Sequence, residues 1–189
     1  MMIGKKGVGL IMQKKISRLI IFLILITLTM TNVAYAQPTT RQNTPYGPKV
    51  EDLKDKEDII QNLQQMKKIR ANLLVIDISE SSTVEQLRNA DKNLENYIEQ
   101  FNAIRKNLEN HKNLYKDSFP DVFFAEQISF VADSFIISIR QQQNLIRAME
   151  GNKAEAKKLF YSNYLIPVYY YLTLGDQMIA YVENYFIVS

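Results

Sequence analysis

Cysteine is missing from all 189 residues. That excludes disulfides, thiol catalysis, c-type haem attachment, cysteine-held iron–sulfur clusters and a lipid anchor on cysteine. Histidine occurs once, at position 111. A di-iron carboxylate bundle needs Glu-x-x-His pairs on two helices, and a structural zinc site needs several imidazole or thiolate ligands, so both are excluded. There is no Gly-x-Ser-x-Gly, no phosphate-cradling glycine loop and no spaced carboxylate pair suited to acid–base work. The expectation is that the protein is not an enzyme.

Acidic residues are absent from the first 36 positions, which hold Lys5, Lys6, Lys14, Lys15 and Arg18. An apolar run, LIIFLILITLTM, follows from Leu19, and the segment closes on Ala34-Tyr35-Ala36, a small-x-small cleavage pattern. Residues 1–36 therefore read as a signal peptide, with Met12 as an alternative start. The competing reading is an uncleaved anchor. However, Leu19 to Ala36 barely spans a bilayer and turns polar at Thr29, Thr31 and Asn32. The expected location is outside the cytoplasm, periplasmic or extracellular.

The whole chain carries 23 basic and 20 acidic residues; without the five basic residues of the leader, 18 face 20. No basic tract then remains to follow a phosphate backbone, so nucleic acid is not an expected partner. A membrane enters only through an uncleaved N-terminus. An exported domain without disulfides relies on its core, and about 150 residues bury enough apolar surface for one.

Residues 37–49, with QPTTRQNTPYGP, form a Pro/Thr/Asn-rich linker without periodicity. Over residues 50–189 one pattern repeats four times: apolar residues three and four apart, then a stop. The first stretch runs from Val50 to about Ile78, with an acidic start suited to a helix N-terminus. Its end, LLVIDI, has strand-like composition but no pairing partner nearby, and is expected to be helical. Ser82 with Glu85 predicts a capping box for the second helix. That helix carries a regular seam of Leu87, Ala90, Leu94, Tyr97, Phe101, Ile104, Leu108, His111 and Tyr115. Ser118 and Pro120 open the third helix, with Ile128, Ala132, Phe135, Ile139, Gln142, Ile146 and Met149 on one face. Gly151-Asn152 separates it from the fourth. There the main stripe reads Phe160, Tyr164, Pro167, Tyr171, Leu174, Met178, Tyr181, Tyr185 and Val188. A second lies beside it: Leu165, Val168, Leu172, Ile179, Val182 and Phe186. Pro167 is expected to kink this helix.

The pattern predicts an all-α fold, an up-and-down four-helix bundle preceded by a signal peptide, with rods of about 45 Å. Turn counting places Phe101, Phe135 and Tyr171 at one height, as an aromatic core layer. The tyrosines on the main stripe are expected in the core, with hydroxyls at the rim. Tyr169 and Tyr170 flank it and are free to line a groove or a homodimer face. Asp133, Arg140 and Arg147 recur every seven residues. They read either as a solvated face or as an anion patch in which Arg140 and Arg147 hold a small carboxylate. The weak ligand-binding set is thus Arg140, Arg147, Tyr169 and Tyr170. His111 reads as a bundle-end residue stabilised by a helix C-terminus, or as a haem ligand paired with Met178. No cofactor is expected otherwise, and no metal.

MEGNKAEAKKLFYSNYLIPVYYYLTLGDQMIAYVENY, from Met149 to Tyr185, resembles the last helix of the periplasmic four-helix-bundle sensor domains of methyl-accepting chemotaxis receptors. The shared features are Gly151-Asn152, Ala154 and Ala156, Pro167, and the Leu/Tyr-rich close from Leu172 to Tyr181. The other three helices match only in length and order. Such receptors continue into a second membrane span, which this sequence does not show. The resemblance implies a sensor-like bundle that binds a small molecule or a protein partner. The alternative expectation is a structural or chaperone-like envelope protein without a ligand pocket.

Overall fold

The computed structural model describes residues 47–187; the expected signal peptide, most of the linker and Val188 lie outside the described residues. Every regular element among the described residues is helical. A 3₁₀ turn at Val50–Asp52 leads into α1 (Lys56–Asn72), which is followed by α2 (Val84–Leu114) and α3 (Phe119–Met149). The last rod is α4 (Lys153–Leu159), a π-helical turn (Phe160–Tyr164) and α5 (Leu165–Ile187), joined without a break.

Local chemistry sets the boundaries. Asp55 caps α1 by accepting from the Asp58 N–H at 3.1 Å. The capping box of α2 is one residue later than the sequence suggests: Thr83 Oγ1 accepts from the Gln86 N–H (3.2 Å), and Gln86 Oε1 from the Thr83 N–H (2.8 Å). Ser82 Oγ instead accepts from the Ser79 N–H at 2.9 Å, which closes the preceding turn. Thr83→Ala is expected to lower stability by about 1 kcal/mol, read as a lower urea midpoint with an unchanged slope. Asn152 caps α4 through the Glu155 N–H (3.2 Å).

The first rod is shorter than expected. Helix α1 ends at Asn72, Leu73 is extended, and residues 73–79 form no regular element. The β-branched Val75, Ile76 and Ile78 are weaker helix formers. The Ile76 N–H donates to the fully buried Gln142 Oε1 on α3 at 2.8 Å, which satisfies a donor that has left the helix.

Contacts fix how the rods run. Asp58 meets His111 and Asn72 meets Tyr97, so α1 and α2 are antiparallel. Phe101 meets Phe135 and Asp91 meets Gln143, so α2 and α3 are too. Ser138 donates to the Val168 carbonyl (3.0 Å) and Gly175 lies under Phe135, so α3 and α5 also run in opposite senses. Lys67 with Glu183 and Arg70 with Asp176 tie α1 back to α5. Helix α3 is central: it packs on α1, α2 and α5. It is long and apolar enough to cross a membrane, but over half of its apolar window is buried inside the protein, as suits a core helix.

All seven stripe residues of α3 are buried. On the last rod the second of the two expected stripes is the buried one: Val168, Leu172, Ile179 and Val182, completed by Gly175. The expected main stripe falls one residue short of that seam, and Pro167, Tyr171, Leu174, Met178 and Tyr181 are half-buried or exposed. The π turn is the cause. Phe160 and Val168 both face the core, yet they are eight residues apart and two α-helical turns span about 7.2. The Leu165 N–H bonds to the Phe160 carbonyl, five residues back, and absorbs the surplus. Pro167, in the turn after, has no N–H to offer the carbonyl four residues before it, and so favours such a local widening.

The main-stripe tyrosines divide: Tyr164 and Tyr181 are exposed and Tyr171 is half-buried, whereas Tyr185 packs against the core, edge-on to Phe124 at 5.3 Å. Phe101 and Phe135 do meet, with ring centroids 5.3 Å apart. Tyr171 is not their third member: it meets Tyr170 edge-on at 5.2 Å. The place beside Phe135 on the last rod belongs to Gly175, and the Arg70 guanidinium lies over the ring, 5.5 Å from its centroid.

Candidate functional site

Two regions combine chemistry with placement. The first is a polar cluster where α1 and α3 begin and α2 ends. His111 lies in the last turn of α2 and is buried. Its Nδ1 is 2.8 Å from Asp58 Oδ2 and its Nε2 3.1 Å from Asp121 Oδ1. An imidazole facing two carboxylates satisfies both only with a proton on each nitrogen. Tyr115 packs on the ring at 4.8 Å and donates its hydroxyl to Asp55 at 3.4 Å.

Asp121 is the centre of the cluster and is wholly buried. It accepts from the Ser118 hydroxyl, the Lys54 N–H (3.1 and 3.2 Å), the Asp55 N–H (3.3 Å) and His111. Burial by itself raises its pKa. Hydrogen bonds from Ser118, the Lys54 and Asp55 amides and His111 outweigh that effect and hold the carboxyl below its usual range. For Tyr115, burial and the Asp55 carboxylate both push the phenol upward.

The cluster resembles a relay of acid, base and hydroxyl, but its bonds point inward. Ser118 donates to Asp121 rather than to His111, so no nucleophile–base pair forms. Axial ligation of haem by His111 would have to break one of its two carboxylate bonds. Its hydrogen bonds join three helix ends and stabilise the fold. Sequence reading singled out His111 but not Asp121. An Asp in the first turn of a helix is ordinarily read as a dipole or capping residue.

The second region is the outward side of the last rod. From Leu159 to Gly175 the sequence LFYSNYLIPVYYYLTLG carries no charge. Ile166 is 74 % exposed, and Tyr161, Tyr169 and Tyr170 are also exposed. Leu165, Ile166, Tyr169, Tyr170 and Thr173 line an open depression of about 400 Å³. Ile166, Tyr169, Tyr170 and Thr173 follow the spacing i, i+3, i+4, i+7, one face of a helix. The rod therefore has two apolar faces, one in the core and one on the surface. A second open depression, about 290 Å³, lies between α1 and α5 beside the paired Arg70 and Asp176.

The four expected ligand residues do not form one group. Tyr169 and Tyr170 belong to the outward face just described. Arg140 and Arg147 are exposed on α3, in heptad register with Glu126 and Asp133. Those two pair with Lys112 (3.5 Å) and Arg105 (2.9 Å) of α2, so this stripe runs along the α2 side of α3, away from α5. Ile166 completes the aromatic face and was overlooked because its neighbours suggested a core stripe. No protein-family model, curated protein or solved structure matches the chain.

Proposed function

We propose that this is an exported, non-enzymatic, up-and-down four-helix bundle, sensor-like in design, that binds a protein partner through the outward face of its last rod. One observation carries the reading: Ile166, Tyr169 and Tyr170 stand exposed together on an uncharged helix face. Contiguous apolar surface of this kind marks interaction sites, and Tyr is enriched where proteins meet. A small-ligand reading would call for a concave pocket with converging polar groups. The two depressions here are open, and the buried polar groups at the other end of the rods satisfy one another.

The test is photo-crosslinking in the producing cell. A photoreactive residue replaces Tyr169 in one strain and the similarly exposed Leu114, on α2, in another. The expected result is a discrete protein adduct at position 169 that is absent at 114. Equal or absent labelling at both positions would refute the reading.

A further inference from the structure

We infer that the outward face of the last rod pairs with the same face of a second copy, antiparallel, about a two-fold axis near Tyr171. This deepens the reading above and rests on it. A two-fold interface sets a patch against itself, so a charged patch would meet its own sign. The outward stripe of Ile166, Tyr169, Tyr170, Thr173, Gln177 and Tyr181 has no charge; the flanking acids Asp176 and Glu183 are held by Arg70, at 2.8 Å, and by Lys67. The face can therefore meet its copy without repulsion.

The positions are also symmetric. Tyr161 and Tyr181 stand equally far in sequence from Tyr171, as do Tyr169 and Thr173. An antiparallel pair lays Tyr161 of one copy along Tyr181 of the other, and Tyr169 along Thr173, with the two Tyr170 side chains beside the axis. The area suffices for a dimer of modest strength. Tyr161, Tyr169, Tyr170 and Tyr181 are 54, 53, 61 and 41 % exposed. With about 150–250 Å² per aromatic side chain, they offer roughly 300–500 Å². Ile166 and the small polar residues between them bring the face to roughly 600 Å² per copy. The total of about 1,200 Å² stands at the lower end of stable interfaces, where micromolar affinity is expected.

The absence of cysteine makes the test clean, since any introduced thiol is unique. The full chain carrying Tyr170→Cys is treated in the producing cell with a short bis-maleimide. The controls are Leu74→Cys and Leu114→Cys, also exposed but on other faces. The expected product has twice the chain mass, contains only this chain, and is at least tenfold more abundant for Tyr170→Cys than for the controls. Adding Ile166→Glu, at a position too exposed to threaten folding, should abolish it while the circular-dichroism melting curve stays unchanged. A Tyr170→Cys yield no greater than the controls, or one indifferent to Ile166→Glu, overturns the dimer. If residue 169 still captures a different protein in the photo-crosslinking experiment, only the identity of the partner falls. If it captures nothing, both readings fall.

Discussion

Asp121→Ala is expected to cost about 3–5 kcal/mol of folding stability, the range for breaking a buried charged network by removing one member. The change leaves the Lys54 and Asp55 N–H groups, the Ser118 hydroxyl and one nitrogen of His111 without their acceptor. Buried donors left unpaired lose their hydration without recompense. Since domains hold about 5–15 kcal/mol in all, the variant should be near its unfolding midpoint in mild urea. Asp121→Asn keeps the shape and one acceptor and should lose about half as much. A loss below about 1 kcal/mol for the alanine variant, in urea titrations near neutral pH, would show the cluster to be incidental.

The same carboxylate predicts a pH dependence with a definite sign. Its folded pKa is depressed, so its contribution is complete above the unfolded carboxylate value of about 3.9 and is lost as pH falls through the lowered value. Asp55, Asp58, His111 and Tyr115 face the same cluster. The wild-type protein should therefore lose stability on acidification below about pH 4, and Asp121→Asn should lack that share of the loss. Parallel acid limbs for the two proteins would contradict the assignment.

Gly175→Ala is the second large effect, and its direction is opposite to that of an ordinary helix position. Glycine to alanine inside a helix normally gains about 1 kcal/mol. Here the new Cβ would lie 2.3 Å from Phe135 Cε1, with two further ring carbons at 2.7 and 2.9 Å. The ring cannot yield easily, because Phe101 and Arg70 also pack on it. A net loss of about 2–3 kcal/mol is expected, as for an overpacked core. Pairing it with Phe135→Leu should recover part of the loss, a coupling of about 1 kcal/mol or more in a double-mutant cycle. If Gly175→Ala is neutral or stabilising in chemical denaturation, the close approach of α3 and α5 is wrong.

These two positions also show what the sequence could and could not disclose. The seams of α2 and α3 were legible because Leu87 to Tyr115 and Ile128 to Met149 keep a strict alternation of threes and fours, and nothing interrupts the helix. On the last rod the second stripe, Val168, Leu172, Ile179 and Val182, is the buried one, and the main stripe falls one residue short of the seam. The π turn that sets the difference has no compositional signature, and Gly175, which sits in the seam, looks like a gap in it. The end of α1 was lost for another reason: past Asn72 the chain leaves the helix, and the Ile76 N–H is satisfied by Gln142, 66 positions away. Tertiary partners of that kind leave no local trace. The same holds for the candidate surface. Tyr169 and Tyr170 were noticed as flanking residues, but Ile166 could be recognised as outward only once the phase was known. Arg140 and Arg147 share a rotation on α3, and rotation alone does not say which neighbouring rod lies beside them.

The π turn makes the length of the last rod locally adjustable. With respect to its own core contacts, the rod is one codon longer than an uninterrupted α-helix would need between Phe160 and Val168. Deleting one codon within Phe160–Tyr164 would leave them about seven residues apart, close to the 7.2 of two regular turns. The turn would become α-helical, and Val168, Leu172 and Ile179 would keep their places in the core while the outward face kept its direction. The same deletion made within α5 would turn everything after it by about 100° relative to what comes before. Related chains that keep this surface should therefore vary in length by one residue at this turn before they do so elsewhere in the rod.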